Sequence, residues 1–491
     1  MEETAVFLLP ERKEHMKTIS EYLNEDYGKW ADRPWIHTRQ GDGWQACTFG
    51  GAIDEIRSLS RTLLKKGFQN KNLMLCSENS REWFLLYLGI MGYVGTCVPV
   101  DPTWTEYDLS HTLSVIPVSA VFYSRKQKNR MRTMKEEHPD ISWFCIEDAV
   151  PLLIREGQAP GCPPAGREDM DRTAMILFTS GTTDVPKAIP LTQRNLFANW
   201  DTLYRRTPMT ECDVSCVFLP FHHVYTGVAN LLYTIISGMQ LFLCTDRKRM
   251  IQDLLEVRPT VVCTVPLFLY RMYDAMTDEL LEALRHIRFL YCGGSFTDPA
   301  VKRYFIRQGV CLLEAYGTTE TSSVIALAVP GDPDLVSNGV VFENLEVRIL
   351  DPDEEGIGEI LVRGESVSGG YLDQNGCYSE FDQNGFYHTG DMGRLSDTGH
   401  LYLKGRKKRM ILTANGKNVY VDELEELILK HPKIKAARVF EQNHHPAATV
   451  TSDLPETEIQ AYMDQVNRCL PHYKQIRKIY IKPDLPEGRI K

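Results

Sequence analysis

Residues 175–192 read Met-Ile-Leu-Phe-Thr-Ser-Gly-Thr-Thr-Asp-Val-Pro-Lys-Ala-Ile-Pro-Leu-Thr. An apolar, strand-like run opens into hydroxyls, one glycine and one lysine, which is the composition of a phosphate cradle. Thr179, Ser180, Thr182 and Thr183 each carry a hydroxyl donor, Gly181 lets the backbone approach a ligand, and Lys187 adds a positive charge. The spacing excludes a Walker loop, which needs glycine directly before the lysine and Ser or Thr directly after it; Pro186 and Ala188 hold those places here. Taken alone, the run reads more simply as a polar strand-to-helix connection. The rest of the chain decides between the two.

At 491 residues the chain should form roughly two to four structural units. Its 43% apolar and 24% charged residues fit a globular enzyme. The net charge of -10 argues against nucleic acid as a partner, since neutralising phosphates needs a basic excess. Thirteen cysteines without one C-x-x-C pair point to reduced thiols in a cytoplasmic protein, and away from zinc or a disulfide framework. The first ten residues lack the basic region of a secretory signal. Two uncharged stretches, 83–100 and 224–245, are long enough to raise the question of a membrane span. Gly89, Gly92, Gly95 and Pro99 punctuate the first, and Asn230, Gly238 and Gln240 the second, so each is expected to be a buried helix, a glycine stop and a buried strand. Peripheral association with a bilayer surface is compatible with this pattern.

Upstream of the cradle, helix-like and strand-like patterns alternate: Phe49 to Gly67 is amphipathic, Leu73 to Cys76 apolar, Asn79 to Trp83 a helix start, and Thr96 to Val100 a buried strand. Such alternation implies a mostly parallel sheet. A Gly/Pro-rich linker, 156–172, precedes the cradle, and a helix with Thr192 as N-cap follows it. In Leu219-Pro-Phe-His-His-Val-Tyr225, adjacent histidines on an extended segment point to opposite faces, so one packed and one exposed ring is expected rather than a metal site. Leu290-Tyr-Cys-Gly-Gly-Ser295 is a strand ending in Gly293 and Gly294, where a flat ligand could lie against backbone. In Tyr316-Gly-Thr-Thr-Glu-Thr321, Tyr316 offers a ring for stacking and Glu320 a hard carboxylate for Mg²⁺. Beyond Val336, short strands and tight turns suggest a small β subdomain. Arg406-Lys-Lys-Arg409 is a basic cluster, Asn415-Gly416 a hairpin turn, and Leu424, Leu427 and Ile428 mark an amphipathic helix.

These motifs, in this order, resemble the adenylate-forming acyl-CoA synthetase superfamily, which includes peptide-synthetase adenylation domains and luciferases; long-chain fatty acyl-CoA synthetases are the most similar group. The likeness runs from about residue 44 to the end of the sequence. It rests on Thr179-Ser-Gly-Thr-Thr-Asp-Val-Pro-Lys187, with Asp184 and Ala188 where the family carries glycine, on Ser77 to Trp83, Val98 to Pro102 and Tyr316 to Thr321, and on Thr389-Gly-Asp391. The resemblance implies an α/β fold: a large N-terminal domain of layered α/β subdomains with a small β subdomain (1–407), then a small mobile α+β domain (408–491). It implies that Thr179 to Thr183 and Lys187 cradle ATP phosphates, that Gly293, Gly294, Ser295 and Tyr316 to Thr318 bind the nucleotide, and that Glu320 binds Mg²⁺. Asp391 and Arg406 would grip the ribose, Lys408 would be the hinge pivot, and His223, Val224 and Gly227 would line the acyl tunnel. In the closing Leu485-Pro-Glu-Gly-Arg-Ile-Lys491, the family's catalytic lysine directly follows the glycine. Arg489 stands there, and the role is given to Lys491.

The implied chemistry is ATP-dependent activation of a carboxylic acid, a fatty or other hydrophobic one, to acyl-AMP, followed by thioester formation with CoA. One alternative acceptor is the phosphopantetheine of an acyl carrier protein. A reading of a different class, a non-catalytic adenylate-binding sensor or scaffold, is motivated by Asp184 and Arg489.

Overall fold

The computed structural model describes residues 16–158, 169–179, 186–295, 297–373, 376–378, 382–413, 418–431, 433–443, 445–482 and 488–489. These fall into two compact units, residues 1–346 with 363–387 and residues 347–362 with 388–491.

The first unit holds two large sheets. In one, the strand order is 376–378, 371–373, 187–192, 173–179, 96–99, 72–76, 120–123, 142–145. From 173–179 through 142–145 the pairings are parallel, and those involving 187–192 and 371–373 are antiparallel. The other runs 340–341, 326–327, 312–316, 289–293, 261–264, 214–217, 240–243, 34–40, 43–48, parallel at its centre and antiparallel at both rims. The expected alternation is present as helix Phe49–Lys65, strand Asn72–Cys76, helix Arg81–Gly89 and strand Thr96–Pro99. Ser80 caps the second helix by accepting from the Trp83 amide at 3.1 Å. Leu73 to Cys76 are all buried, as continuous apolar runs in parallel strands require.

The stretch 83–100 continues its helix to Gly89, makes one π-helical turn at Ile90–Val94, and enters the strand through Gly95. A Cβ on Gly95 would sit 2.2 Å from the Lys71 carbonyl oxygen, so only glycine fits. In the second stretch, Gly238 ends the helical run at φ 71° and the strand Gln240–Leu243 follows. No described helix is long and apolar enough to cross a membrane.

The cradle departs from the simple strand-to-helix connection. Strand Thr173–Thr179 is followed by a second strand, Lys187–Thr192, with Thr179 opposite Lys187, and only then by helix Gln193–Arg206. Thr192 is the N-cap, in a reciprocal box with Asn195.

Helix Ile19–Trp30 carries a buried carboxyl, Asp26, one oxygen of which has no hydrogen-bond partner among the described residues. Burial, only partly offset by the Lys29 charge, pushes its pKa up to about 9. The folded state then keeps a proton that the unfolded chain has lost, so this group's stabilisation is complete below pH 3.8 and declines as pH rises toward 9. Asp26→Asn should match the parent melting temperature near pH 4 and exceed it by about a few degrees at pH 8. Parallel melting curves across that range would remove this account.

The second unit contains most of a four-stranded sheet, in the order 345–350, 358–364, 387–395, 401–406. Beyond it, strands Met410–Leu412 and Asn418–Tyr420 pair antiparallel; the Asn415-Gly416 turn expected between them lies outside the described residues. Helix Val421–Leu429 buries Leu424 and Ile428 fully and Leu427 partly, against Val439, Val450, Ile459 and Met463. The last sheet runs 478–481, 445–452, 434–442, 488–489.

Candidate functional site

Lys187 begins its strand with the ammonium 4.3 Å from the centroid of the Tyr371 ring, within cation–π range. The Tyr371 hydroxyl donates to Glu320 Oε1 at 2.8 Å and lies 3.4 Å from the Tyr387 hydroxyl. Phosphate-type cation and metal-type carboxylate thus reach the same side chain. Ala188 is fully buried, paired with Phe178 on one side and Leu372 on the other, so alanine is accommodated where the family carries glycine. Ser180, Gly181, Thr182, Thr183 and Asp184 lie outside the described residues.

Glu320 sits in a short turn, Thr319–Thr321, that follows strand Leu312–Tyr316. Tyr316 is 8% exposed at the strand's end. Gly317 packs so closely that a Cβ would lie 1.5 Å from the Ser323 carbonyl oxygen. The Thr318 amide donates to Thr321 Oγ1 at 3.2 Å. Ser322 and Ser323 then take φ of 59° and 117°, a region that costs non-glycine residues on the order of 1–3 kcal/mol each. Asn199 holds this bend from below: its side chain donates to the Val324 carbonyl at 2.6 Å and accepts from the Val324 amide at 3.3 Å. In the neighbouring strand Phe289–Gly293, a Cβ on Gly293 would press to 2.9 Å of Ala315 O; Gly294, at φ 84°, and Ser295 are exposed. The strand ends carrying Gly293 and Tyr316 are adjacent, because Gly293 pairs with Ala315.

His222 is largely buried and His223 exposed, but the reason differs from strand alternation: residues 221–223 form a turn, and the two rings lie side by side with centroids 4.4 Å apart. Burial, with the adjacent His223 acting in the same direction, drives the His222 pKa down to about 3. Its Nε2 lies 3.6 Å from Asp101 Oδ2, whose charge pulls the other way without offsetting burial, and the imidazole is neutral over the physiological range. His223 precedes a helical segment in which Val224 is half-buried and Gly227 buried, and a Cβ on Gly227 would lie 2.9 Å from the Tyr87 hydroxyl.

In the second unit, Asp391 and Arg406 are cross-strand partners, with Arg406 Nε 2.8 Å from Asp391 Oδ1. Thr389 Oγ1 also accepts from the Asp391 amide at 3.0 Å, within the strand Tyr387–Leu395. Lys408 is exposed in the short turn Lys407–Arg409. Lys407 pairs with Glu359 at 2.7 Å, while Arg409 pairs with Asp422 at 2.6 Å and with the buried Glu425 at 2.7 Å. Glu425 also accepts from the Val439 amide at 2.9 Å.

A family model described as AMP-binding enzyme matches residues 23–372. The chain belongs to this family. It is an adenylate-forming enzyme, an acid-thiol ligase of the AMP-forming acyl-CoA synthetase type. Relatives include long-chain-fatty-acid–CoA ligase heimdall of Drosophila melanogaster, 26% identical over 84% of this chain and 73% of its own length. The 2-succinylbenzoate–CoA ligase of Enterococcus faecalis is 28% identical over 95% of both chains. Among solved structures, the Bacillus subtilis o-succinylbenzoate coenzyme A synthetase in complex with ATP and magnesium ion superposes at TM-score 0.81, with 21% identity over 95% of this chain and 96% of that one. That likeness shows the shared fold.

In this AMP-binding enzyme the structure brings together Thr179 with Lys187, Lys187 with Glu320 through Tyr371, Gly293 with the Tyr316 strand, and Asp391 with Arg406. Lys491 and the Arg489 side chain lie outside the description; the backbone of Gly488–Arg489 pairs with strand 434–442. Tyr371 and Tyr387 were missed by sequence reasoning. A signal was available in the Gly369-Gly370-Tyr371 turn and in Tyr387, four residues before Asp391. Among the described residues no group of three or more His, Cys, Asp or Glu side chains could cage a metal. A single half-buried carboxylate, Glu320, suits Mg²⁺, which keeps most of its shell as water and phosphate oxygens.

Proposed function

We propose that the protein couples a carboxylic acid, fatty or otherwise hydrophobic, to the thiol of CoA at the expense of ATP. The observation that carries this reading is the joint reach of Lys187 and Glu320 to Tyr371, beside the turn that presents Tyr316. It is supported by relatives named as CoA ligases and by a fold neighbour solved with an acyl-adenylate intermediate.

A carboxylate is a poor electrophile. Its oxygen attacks the α-phosphorus of ATP, the bond to the bridging oxygen breaks, and pyrophosphate leaves; the thiol sulfur then attacks the acyl carbon and AMP departs. No side chain need become covalently attached. Thr179, Lys187 and Lys491 offset negative charge at the transferred phosphorus, while Tyr316, Asp391 and Arg406 orient the nucleoside. Mg²⁺, when bound at Glu320, supplies further neutralisation of the triphosphate. His223, Val224 and Gly227 form part of the acyl wall.

The reading is tested by acid-dependent pyrophosphate release from ATP and Mg²⁺ over a chain-length panel of acids, with CoA or a carrier protein as acceptor. Release peaking at one chain length, with thioester on CoA, is expected. Release with no acid tested would leave an adenylate-binding sensor in its place, and thioester only on the carrier would move the acceptor.

The functional division is proposed at Lys408, between the Lys407 and Arg409 ion pairs. Proline there fixes φ near about −65°. Lys408→Pro should therefore spare pyrophosphate release and slow thioester formation by about tenfold or more. Equal loss in both half-reactions would count against a hinge at this residue.

A further inference from the structure

The segment 365–372 ties the lysine strand to the glutamate turn. Its Ser368 amide donates to the Glu320 carbonyl at 2.7 Å, and Ser368 Oγ donates to the Pro190 carbonyl at 2.7 Å. Asn195, in the helix after the lysine strand, donates to the carbonyls of Glu365 at 2.8 Å and Val367 at 3.1 Å. Leu372 pairs with Ala188, next to Lys187. Tyr371 is 5% exposed, so its ring is fixed by packing.

The Tyr371 ring carries the Lys187 ammonium on its face, and its hydroxyl donates to one oxygen of Glu320, which holds that carboxylate in one orientation.

We infer that Tyr371 is a positioning residue that orients Glu320 toward a divalent cation. This rests on the reading of Glu320 as the metal-facing carboxylate. Tyr387 backs the arrangement from 3.4 Å.

The two contacts separate by substitution. Tyr371→Phe keeps the ring and removes the hydroxyl; Tyr371→Leu removes both. Mn²⁺ binding to the full chain, followed by electron paramagnetic resonance with a non-hydrolysable ATP analogue present, should weaken about tenfold in the Phe variant. Pyrophosphate release should show the same displacement in metal requirement, and the KM for the acid should not follow it. The Leu variant should in addition bind the ATP analogue more weakly, because the Lys187 ammonium loses the ring it rests on.

Glu320→Gln is the reference. If it weakens Mn²⁺ binding and Tyr371→Phe does not, the positioning role is wrong while the metal reading stands. If neither variant weakens it, the metal reading fails and the inference goes with it. Identical behaviour of the Phe and Leu variants in both titrations would reduce Tyr371 to packing and overturn the proposal.

Discussion

Lys491→Ala should cut acid-dependent pyrophosphate release by about a hundred- to a thousandfold, while thioester formation from supplied acyl-adenylate stays within reach of the parent rate. The magnitude follows from the kind of contact removed. A cation aimed at charge that develops in the transition state contributes far more inside a water-poor site than the same cation in solvent, about 3–4 kcal/mol for one donor. The second half-reaction breaks a mixed anhydride already formed and makes no such demand. Arg489→Ala separates the two basic candidates of the closing motif, since Arg489 occupies the place directly after Gly488. A larger loss in Arg489→Ala than in Lys491→Ala would transfer the role to the arginine.

Gly317→Ala should destabilise the first unit by about 4 kcal/mol and abolish binding of an ATP analogue. The added carbon would fall 1.5 Å from the Ser323 carbonyl oxygen, backbone that cannot swing aside. That backbone is clamped: the Ser323 amide donates to the Thr318 carbonyl at 3.2 Å, and Asn199 holds Val324 beyond it. Relief would have to come from the turn that carries Glu320. Gly369→Ala is the matched control, since nothing lies within 4 Å of its Cβ position. A Gly317→Ala protein with unchanged melting temperature and unchanged nucleotide binding would contradict the packing described here.

The motifs of the proposed site were legible because their residues are local in sequence. Tyr316 to Glu320 and Thr389 to Asp391 are each contiguous, so the resemblance to the family could be read from short runs and their proposed roles carried over from it. The buried helix, glycine stop and strand of 83–100 and 224–245 were readable for a similar reason, since glycine punctuation fixes backbone geometry locally. Two features escaped. The strand Lys187–Thr192 was obscured by Pro186 and Pro190, residues that normally argue against a strand because they cannot donate to the ladder. Pro190 is nonetheless paired with Ile176, and its carbonyl finds a partner in Ser368. Tyr371 escaped because its partners lie 184 and 51 residues away in the chain, at Lys187 and Glu320, and only the tertiary fold brings them to one ring.

The strand that begins at Lys187 changes where the free energy of ordering is incurred. A lysine on a free loop surrenders about 2 kcal/mol of rotamer entropy each time it closes on a ligand. Here the Cα is fixed by pairing with Thr179 and the ammonium rests on an aromatic face, so much of that loss belongs to folding and is not repeated at each turnover. With Lys187 as the proposed phosphate contact, nucleotide association should accordingly carry a smaller entropic penalty than a loop-borne lysine would impose.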